Sequence, residues 1–366
     1  MTYFKNTHLW ILGYLKTLRS SKASGNYNLK DIIFTIVDHF EPFWENDYSM
    51  IEFWKREYPR FAARHYDSDG YPPQHTWFFP IEQYDPVIVE KLSHLCNKGY
   101  GEIEIHLHHE NDDEESLRTL LRKGIEDLTR HGTLKPTGKE CEPRFAFIHG
   151  NWALDNSRKD GSWCGVNDEL RILKEEGCYA DFTLPSAPSE TQTRKINSIY
   201  YANSNPRVPK AHDRGVDVRV AGKECGHLMI IQGPLTLNWR RRKGGMVPHI
   251  ENSEISCANP GTRDRIRLWE KTNIHVKGRP EWVFIKVHCH GGDRKDLNAL
   301  LGTKASLMYQ WLEHIFRMSP HYRLHYVTAR ECYNIVKAAE AGEVGNPNDF
   351  RNYSISPPEN RGTIRK

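Results

Sequence analysis

No apolar run in this 366-residue sequence approaches the roughly 20 residues needed to cross a bilayer. The run near the N-terminus, Leu9 to Leu15, is far too short. It is followed by Lys16, Arg19 and Lys22, and no small-residue cleavage site ends it. It reads as a helical extension over residues 1–29, packed on the domain or touching a membrane surface through residues 8–19. The expected location is cytoplasmic. Neither sign of charge dominates: 51 basic residues face 47 acidic ones, a net charge of +4. Composition therefore makes no case for nucleic-acid binding. Cysteine is sparse and scattered, at positions 96, 141, 164, 178, 225, 257, 289 and 332. No CxxC pair occurs, which argues against a zinc ribbon or a thioredoxin-type site. A chain of this size needs no disulfides, so the thiols are expected to be mostly reduced. Neither an internal repeat nor a low-complexity tract is present.

Histidine is what the sequence has in quantity, with 19 residues, several in short runs. Hydrophobic residues make up 38% and charged ones 27%, which suits a packed core and not a disordered chain. Short apolar runs alternate with segments of helical period, the pattern of a parallel sheet. The spacing predicts strands at 31–37, 75–80, 102–108, 144–149, 179–184, 227–232 and 282–288, with a short last one at 325–327. Helices are predicted at 85–97, 115–130, 166–176, 304–318 and 329–341. The fold class is α/β: an irregular parallel β/α barrel, seven-stranded, spanning residues 30–342. Polar stretches near 185–226 and 238–280 are expected as long loop insertions over the C-terminal mouth. Residues 343–366 are expected as an extended or disordered tail.

Strand alternation locates the chemistry. In Glu102 to His108, Ile103, Ile105 and Leu107 share one face, while Glu104, His106 and His108 share the other. In Val283 to His290, Val283, Ile285, Val287 and Cys289 form the apolar face. Lys286, His288 and His290 form the opposite one. If the apolar sets face the helices, both strands aim paired histidines at the axis, near the strand ends where barrel active sites lie. Asp38 and His39 end the first strand and His149 the fourth, at the same rim. Imidazole and carboxylate together suit a divalent metal, with Asp38, His39, His106, His108 and His109 as candidate ligands and zinc expected. Glu41, His149, Asn151 and Trp152 lie at positions suited to substrate. So do Trp239 and Arg240, inside the basic run Trp239 to Lys243, which suits an acidic glycan. Trp44, Trp77 and Trp163 also lie mostly just past strand ends and suit sugar stacking or rim packing equally.

At these residues the chain resembles the polysaccharide deacetylase superfamily, carbohydrate esterases on an irregular seven-stranded β/α barrel. The resemblance covers about residues 30 to 335 as sparse motifs in order. Thr35 to His39 resembles the first motif, with Asp38 at the position of the base aspartate and His39 in place of a metal-binding aspartate. His106-Leu107-His108-His109-Glu110 is similar to the metal-binding second motif. That motif spaces its histidines by four, and position 110 here is glutamate, so the partner of His106 stays open among His108, His109 and Glu110. Arg144 to Trp152 stands in the place of the third motif. Val287-His288 resembles the last, whose histidine is a general acid, and His290 is taken with it. The resemblance implies a metal-dependent hydrolase that removes acetyl groups from a glycan. Asp38 would take a proton from water and His288 would return one to the leaving group. Three other readings share these residues. They are a metallohydrolase of the amidohydrolase or histidinol-phosphatase kind, a glycosidase using carboxylates among Asp38, Glu41, Glu104 and Glu110, and a non-catalytic glycan-binding barrel.

Overall fold

Continuous apolar runs bounded by turns become buried parallel strands, and the 3.6-period segments between them become the helices that cover those strands. The computed structural model describes residues 4–22, 28–42, 48–136 and 142–366. Trp44 and Cys141 lie outside the described residues. In chain order the elements are α1 (Ile11–Lys22), β1 (Lys30–His39), α2 (Ser49–Ala62), β2 (His75–Pro80), α3 (Pro86–Asn97) and β3 (Gly101–Leu107). Next come α4 (Glu114–Thr129), β4 (Phe145–His149), α5 (Glu169–Glu175), β5 (Cys178–Asp181), β6 (Ile199–Ala202), β7 (Val216–Asp217) and β8 (Leu228–Ile231). The hairpin β9 (Thr236–Lys243) and β10 (Val247–Glu251) leads to β11 (Glu254–Ile255), α6 (Arg263–Thr272) and β12 (Trp282–Cys289). The last elements are α7 (Leu297–Leu300), α8 (Thr303–Leu312), β13 (Tyr322–Tyr326) and α9 (Ala329–Ala341).

Strands β12, β1, β2, β3, β4, β5 and β8 lie side by side and parallel. The sheet is curled and mostly parallel, but its path runs open from β11 to β7. The expected seven-stranded barrel is therefore not closed by a ladder among the described residues. The physical reason lies at β8. Its outer edge is taken by antiparallel β6, so it has no free edge to give to β12. The two sides still meet: a Cβ on Gly233, just past β8, would lie 2.4 Å from the Lys286 carbonyl of β12. The Lys286 ammonium donates across the gap to the carbonyls of Phe182 and Leu184, at 2.7 and 2.6 Å.

Alternation sorts the core into two layers, as period 2 requires. Ile32, Phe34 and Ile36 of β1, Ile103, Ile105 and Leu107 of β3, and Val283, Ile285, Val287 and Cys289 of β12 pack against the outer helices. Ile33 and Val37, Phe78, Ala146 and Ile148, and Phe284 face inward, where α9 fills the base of the curl. Thr328 caps α9 with a capping box. Buried Arg330 of α9 pairs with Glu102 of β3 at 2.8 Å. The interior below the mouth is thus packed, and the space left for chemistry lies at the strand ends.

The expected insertion at 238–280 is not a loop but a hairpin, a short strand and a helix. It is held by Arg265, which donates to Glu251 through Nη2 and Nε at 2.7 Å each. Trp269 Nε1 adds a third bond to that carboxylate at 2.9 Å. In the stretch 185–226, β6 and β7 extend the sheet. The tail 343–366 carries buried Arg351, which pairs with Glu331 at 2.9 Å. At the N-terminus Trp10 and Tyr14 bury against Leu235, Leu237 and Ile250. Leu12, Leu15 and Leu18 of α1 are exposed. Among the described residues no helix is long and apolar enough to cross a membrane. The cysteines among them are unpaired.

Candidate functional site

Inward parity at the ends of β1, β3 and β12 places His39, His106 and His288 on the concave face, and His108 and His290 continue the same face past their strands. The His39 ring centroid lies 4.9 Å from that of His106, 5.0 Å from His290 and 6.1 Å from His288. The His106 and His108 centroids are 4.6 Å apart. Glu41, two residues past β1, sits among them. Its Oε1 lies 3.1 Å from His106 Nε2 and 3.6 Å from His108 Nε2. Two overlapping triads result, His39–Glu41–His290 and Glu41–His106–His108, each with ligand atoms within 4.8 Å of one another. His39 and His106 are buried, while Glu41, His108 and His290 are partly open. A cleft of about 590 Å³ opens in front of His39, Glu41 and His290, with Glu254, Asp293 and Lys295 also on its wall. Trp152 sits at the rim, its ring 5.9 Å from His39 and 6.2 Å from His290.

The electrostatics follow from burial and from Glu41. Burial, reinforced by His106, His290 and His288, holds the His39 imidazole well below its ordinary pKa. Burial does the same to His288, aided by Lys286. Burial also lowers His106, against the opposing bond to Glu41. Burial raises the Glu41 carboxyl, but His106 and His108 outweigh it and the group ends below its ordinary value. Burial lowers His108, but the Glu82 carboxylate at 2.6 Å outweighs it and His108 ends above. Burial thus favours the neutral imidazole at His39, His106 and His288, the form that ligates cations, beside the Glu41 carboxylate. Among the described residues, His39 Nδ1 and His106 Nδ1 are buried without a hydrogen-bond partner. Such atoms are costly unless something occupies them, and the donor set could hold a metal ion.

Several expected residues lie elsewhere. Asp38 has the opposite parity to His39. Its carboxylate accepts from the Gly291 N–H at 2.5 Å and lies 2.8 Å from His75 Nε2, on the helix side with Cys289. It is not among the mouth histidines. His109 and His149 also turn to the outer face, where they meet Cys164 and Glu169. Trp239 and Arg240 line a different cleft of about 640 Å³ with residues of α6. There Trp239 donates to Tyr14 and Arg240 pairs with Asp264. That cleft shares no lining residue with the histidine cleft. Asn151 is half-buried beside Trp152. Of the carboxylates weighed for a glycosidase, Glu104 is buried, bonded to Tyr179 and to the Ala146 N–H, and burial pushes it up to about 8. Glu110 is exposed. Among those four, Glu41 alone stands with the mouth histidines. Glu82, Cys164 and Glu169 carry contacts that sequence reasoning missed. Each lies beyond a strand end in a stretch with no diagnostic spacing.

No protein-family model matches the chain, and no curated protein matches it. The deacetylase resemblance accordingly rests on the motif residues themselves.

Proposed function

We propose that the chain is a metal-dependent hydrolase that removes acyl groups from a carbohydrate, with His39, Glu41, His106, His108 and His290 as the residues that would hold the ion. One observation carries this reading: imidazoles from three strand ends converge on one carboxylate with a side open to a cleft. A catalytic metal site needs such an open position for water. A bound divalent ion supplies an activated water and stabilises charge on the acyl oxygen.

The chain's own residues divide the rest. Asp38 is committed to His75 and Gly291, so the proton of water must go to a group in the mouth. His288 is buried beside His39 and neutral by burial. It accepts that proton and returns it to the leaving amine or alcohol, a base followed by an acid. Glu41 and Glu82 fix the rings of His106 and His108. Trp152 offers an aromatic face at the rim for a sugar ring. Of Asp38, Glu41, Glu104 and Glu110, only Glu41 stands at this cleft.

The test is acetate release from an acetylated oligosaccharide, with and without chelator. Release that stops with chelator and returns with zinc supports the reading. His106→Ala should lose metal from the mouth, whereas His288→Ala should keep it and lose turnover. New reducing ends without acetate would overturn the reading.

A further inference from the structure

We propose that His109, His149, Cys164 and Glu169 form a second, closed zinc site on the outer face of the sheet, structural in role. It stands independently of the hydrolase reading. The four donors come from separate stretches: the residues after β3, the end of β4, the loop after it, and the first turn of α5. Their ligand atoms all lie within 4.8 Å of one another, and all four residues are buried. The side chains of His109, His149 and Glu169 have no exposure at all.

The spacings bracket those of a tetrahedral ion. Glu169 Oε1 lies 3.2 Å from His109 Nε2 and 3.9 Å from His149 Nε2, and Cys164 Sγ lies 3.6 Å from Glu169 Oε2. Bonds of about 2.1 Å to N and O and about 2.3 Å to S, set at tetrahedral angles, separate ligand atoms by roughly 3.4–3.6 Å. A second observation points to a ligand. Among the described residues, both ring nitrogens of His149 are buried without a hydrogen-bond partner. Neutral imidazole always carries one acceptor nitrogen, and a cation among these four residues would engage it.

Supporting bonds are already in place round the four. Asp112 Oδ2 lies 3.0 Å from His109 Nδ1, which leaves Nε2 to face the cluster. The Asp155 backbone N–H donates to Glu169 Oε2 at 2.5 Å, and the Thr183 hydroxyl accepts from the His149 backbone N–H at 2.9 Å. Carboxylate–histidine pairs of this kind orient zinc ligands. Thiolate and carboxylate carry two negative charges that one zinc ion balances, and the two imidazoles stay neutral. A sulfur, nitrogen and oxygen set of four suits zinc rather than calcium or magnesium.

Closure separates this site from the mouth. Structural zinc sites use four protein ligands and exclude water, whereas catalytic ones leave a position open. The mouth triads have three ligands each and partly open members, while this set has four and is sealed. The proposed ion cross-links the rims of β3 and β4 to the 150–168 segment, which carries Trp152 into the mouth.

Cobalt substitution of the full-length protein tests this directly. Wild type loaded with cobalt should show an intense near-ultraviolet thiolate-to-cobalt band. Cys164→Ser should lose that band, and Cys289→Ser should keep it. Absence of the band at saturating cobalt overturns the proposal, as does its survival in Cys164→Ser. X-ray absorption on zinc-loaded Glu41→Ala, whose mouth triads lack their shared carboxylate, needs no cysteine variant. One zinc per chain with one sulfur neighbour is expected there, and a spectrum without sulfur overturns the site.

Discussion

Replacing Lys286 by methionine should flatten the pH dependence of stability between neutral and mildly alkaline conditions. Lys286 is buried in β12, where burial, opposed by Asp181, pulls its pKa down to about 7. In the unfolded chain a lysine titrates near 10.4. Between those values the unfolded state binds more protons than the folded one, so stability rises with pH. The sign is that of a depressed folded pKa. The contribution is complete above the unfolded value and is lost as pH falls through about 7. From about pH 7 to about pH 9 the linkage integral gives a rise of ~2 kcal/mol. That figure is an upper bound, because the Phe182 and Leu184 carbonyls favour the ammonium. Urea unfolding of wild type and Lys286→Met at both pH values yields the double difference, in which every other titrating group common to the two proteins cancels. Wild type should gain up to ~2 kcal/mol relative to the variant as pH rises. Parallel curves, or a wild-type loss, would refute the assignment of a lowered lysine pKa at the open seam of the sheet.

Three further outcomes follow from other contacts. Arg330→Met leaves Glu102 buried with Arg361 as its remaining cationic partner, at 3.2 Å. It should cost about 3 kcal/mol, and a loss in chemical denaturation below about 1 kcal/mol would show that Arg361 compensates. Burial lowers His325, but Asp31 at 2.9 Å and Asp69 at 2.7 Å outweigh it and its pKa ends above the ordinary value. The stability advantage of wild type over His325→Gln should be full below about pH 6.5 and should shrink as pH rises through the raised pKa, so a difference that grows with pH contradicts it. Gly150→Ala sets a Cβ 2.3 Å from the His108 ring. It should displace that ring from Glu41 and Glu82 and weaken the proposed metal binding in the mouth, at about 1–3 kcal/mol of stability, and unchanged metal affinity by titration would show that the ring has room to move.

Strands that are apolar throughout were legible as sequence because burial on both faces leaves no polar position. Each predicted strand overlaps an observed one, and the helix at 329–341 coincides with α9. The inward histidines of β3 and β12 followed from period 2 alone. Asp38 shows where a motif misleads. The same parity applied to Lys30–His39 sets Ile36 and Asp38 outward and Val37 and His39 inward, yet the resemblance drew Asp38 into the mouth. The hairpin β9–β10 was illegible because its strand is mostly exposed and basic, held by the Arg265–Glu251 pair and not by an apolar run. His109 and Glu169 stand 60 residues apart in the chain. No local spacing links them, and only the packing of α5 beside β3 and β4 brings them together.

Parity at one strand pair has a mechanical consequence. In β3 and its continuation His106 and His108 point inward, while His109 leaves on the other side beside His149 of β4. Leu107 and His149 are direct neighbours across the ladder. Gly150, the next residue after His149, lies flush against the His108 ring with no room for a Cβ. The outer cluster and the mouth therefore share a wall one residue thick. Any change that moves the His149 backbone moves the surface on which His108 rests, and with it one corner of the triad at Glu41. On the proposed assignments, zinc in the outer site fixes that wall. Its loss should loosen His108 before it unfolds the chain, lowering cation affinity in the mouth while most of the fold persists. His108 is half-buried at a rim, and its removal leaves the His109–Glu169 contacts untouched. Reciprocity of binding free energies would then require zinc in the outer site and a cation in the mouth to favour each other by the same amount. A titration of either site with the other filled and empty measures that amount, and equal affinities in both states would mean that the shared wall transmits nothing.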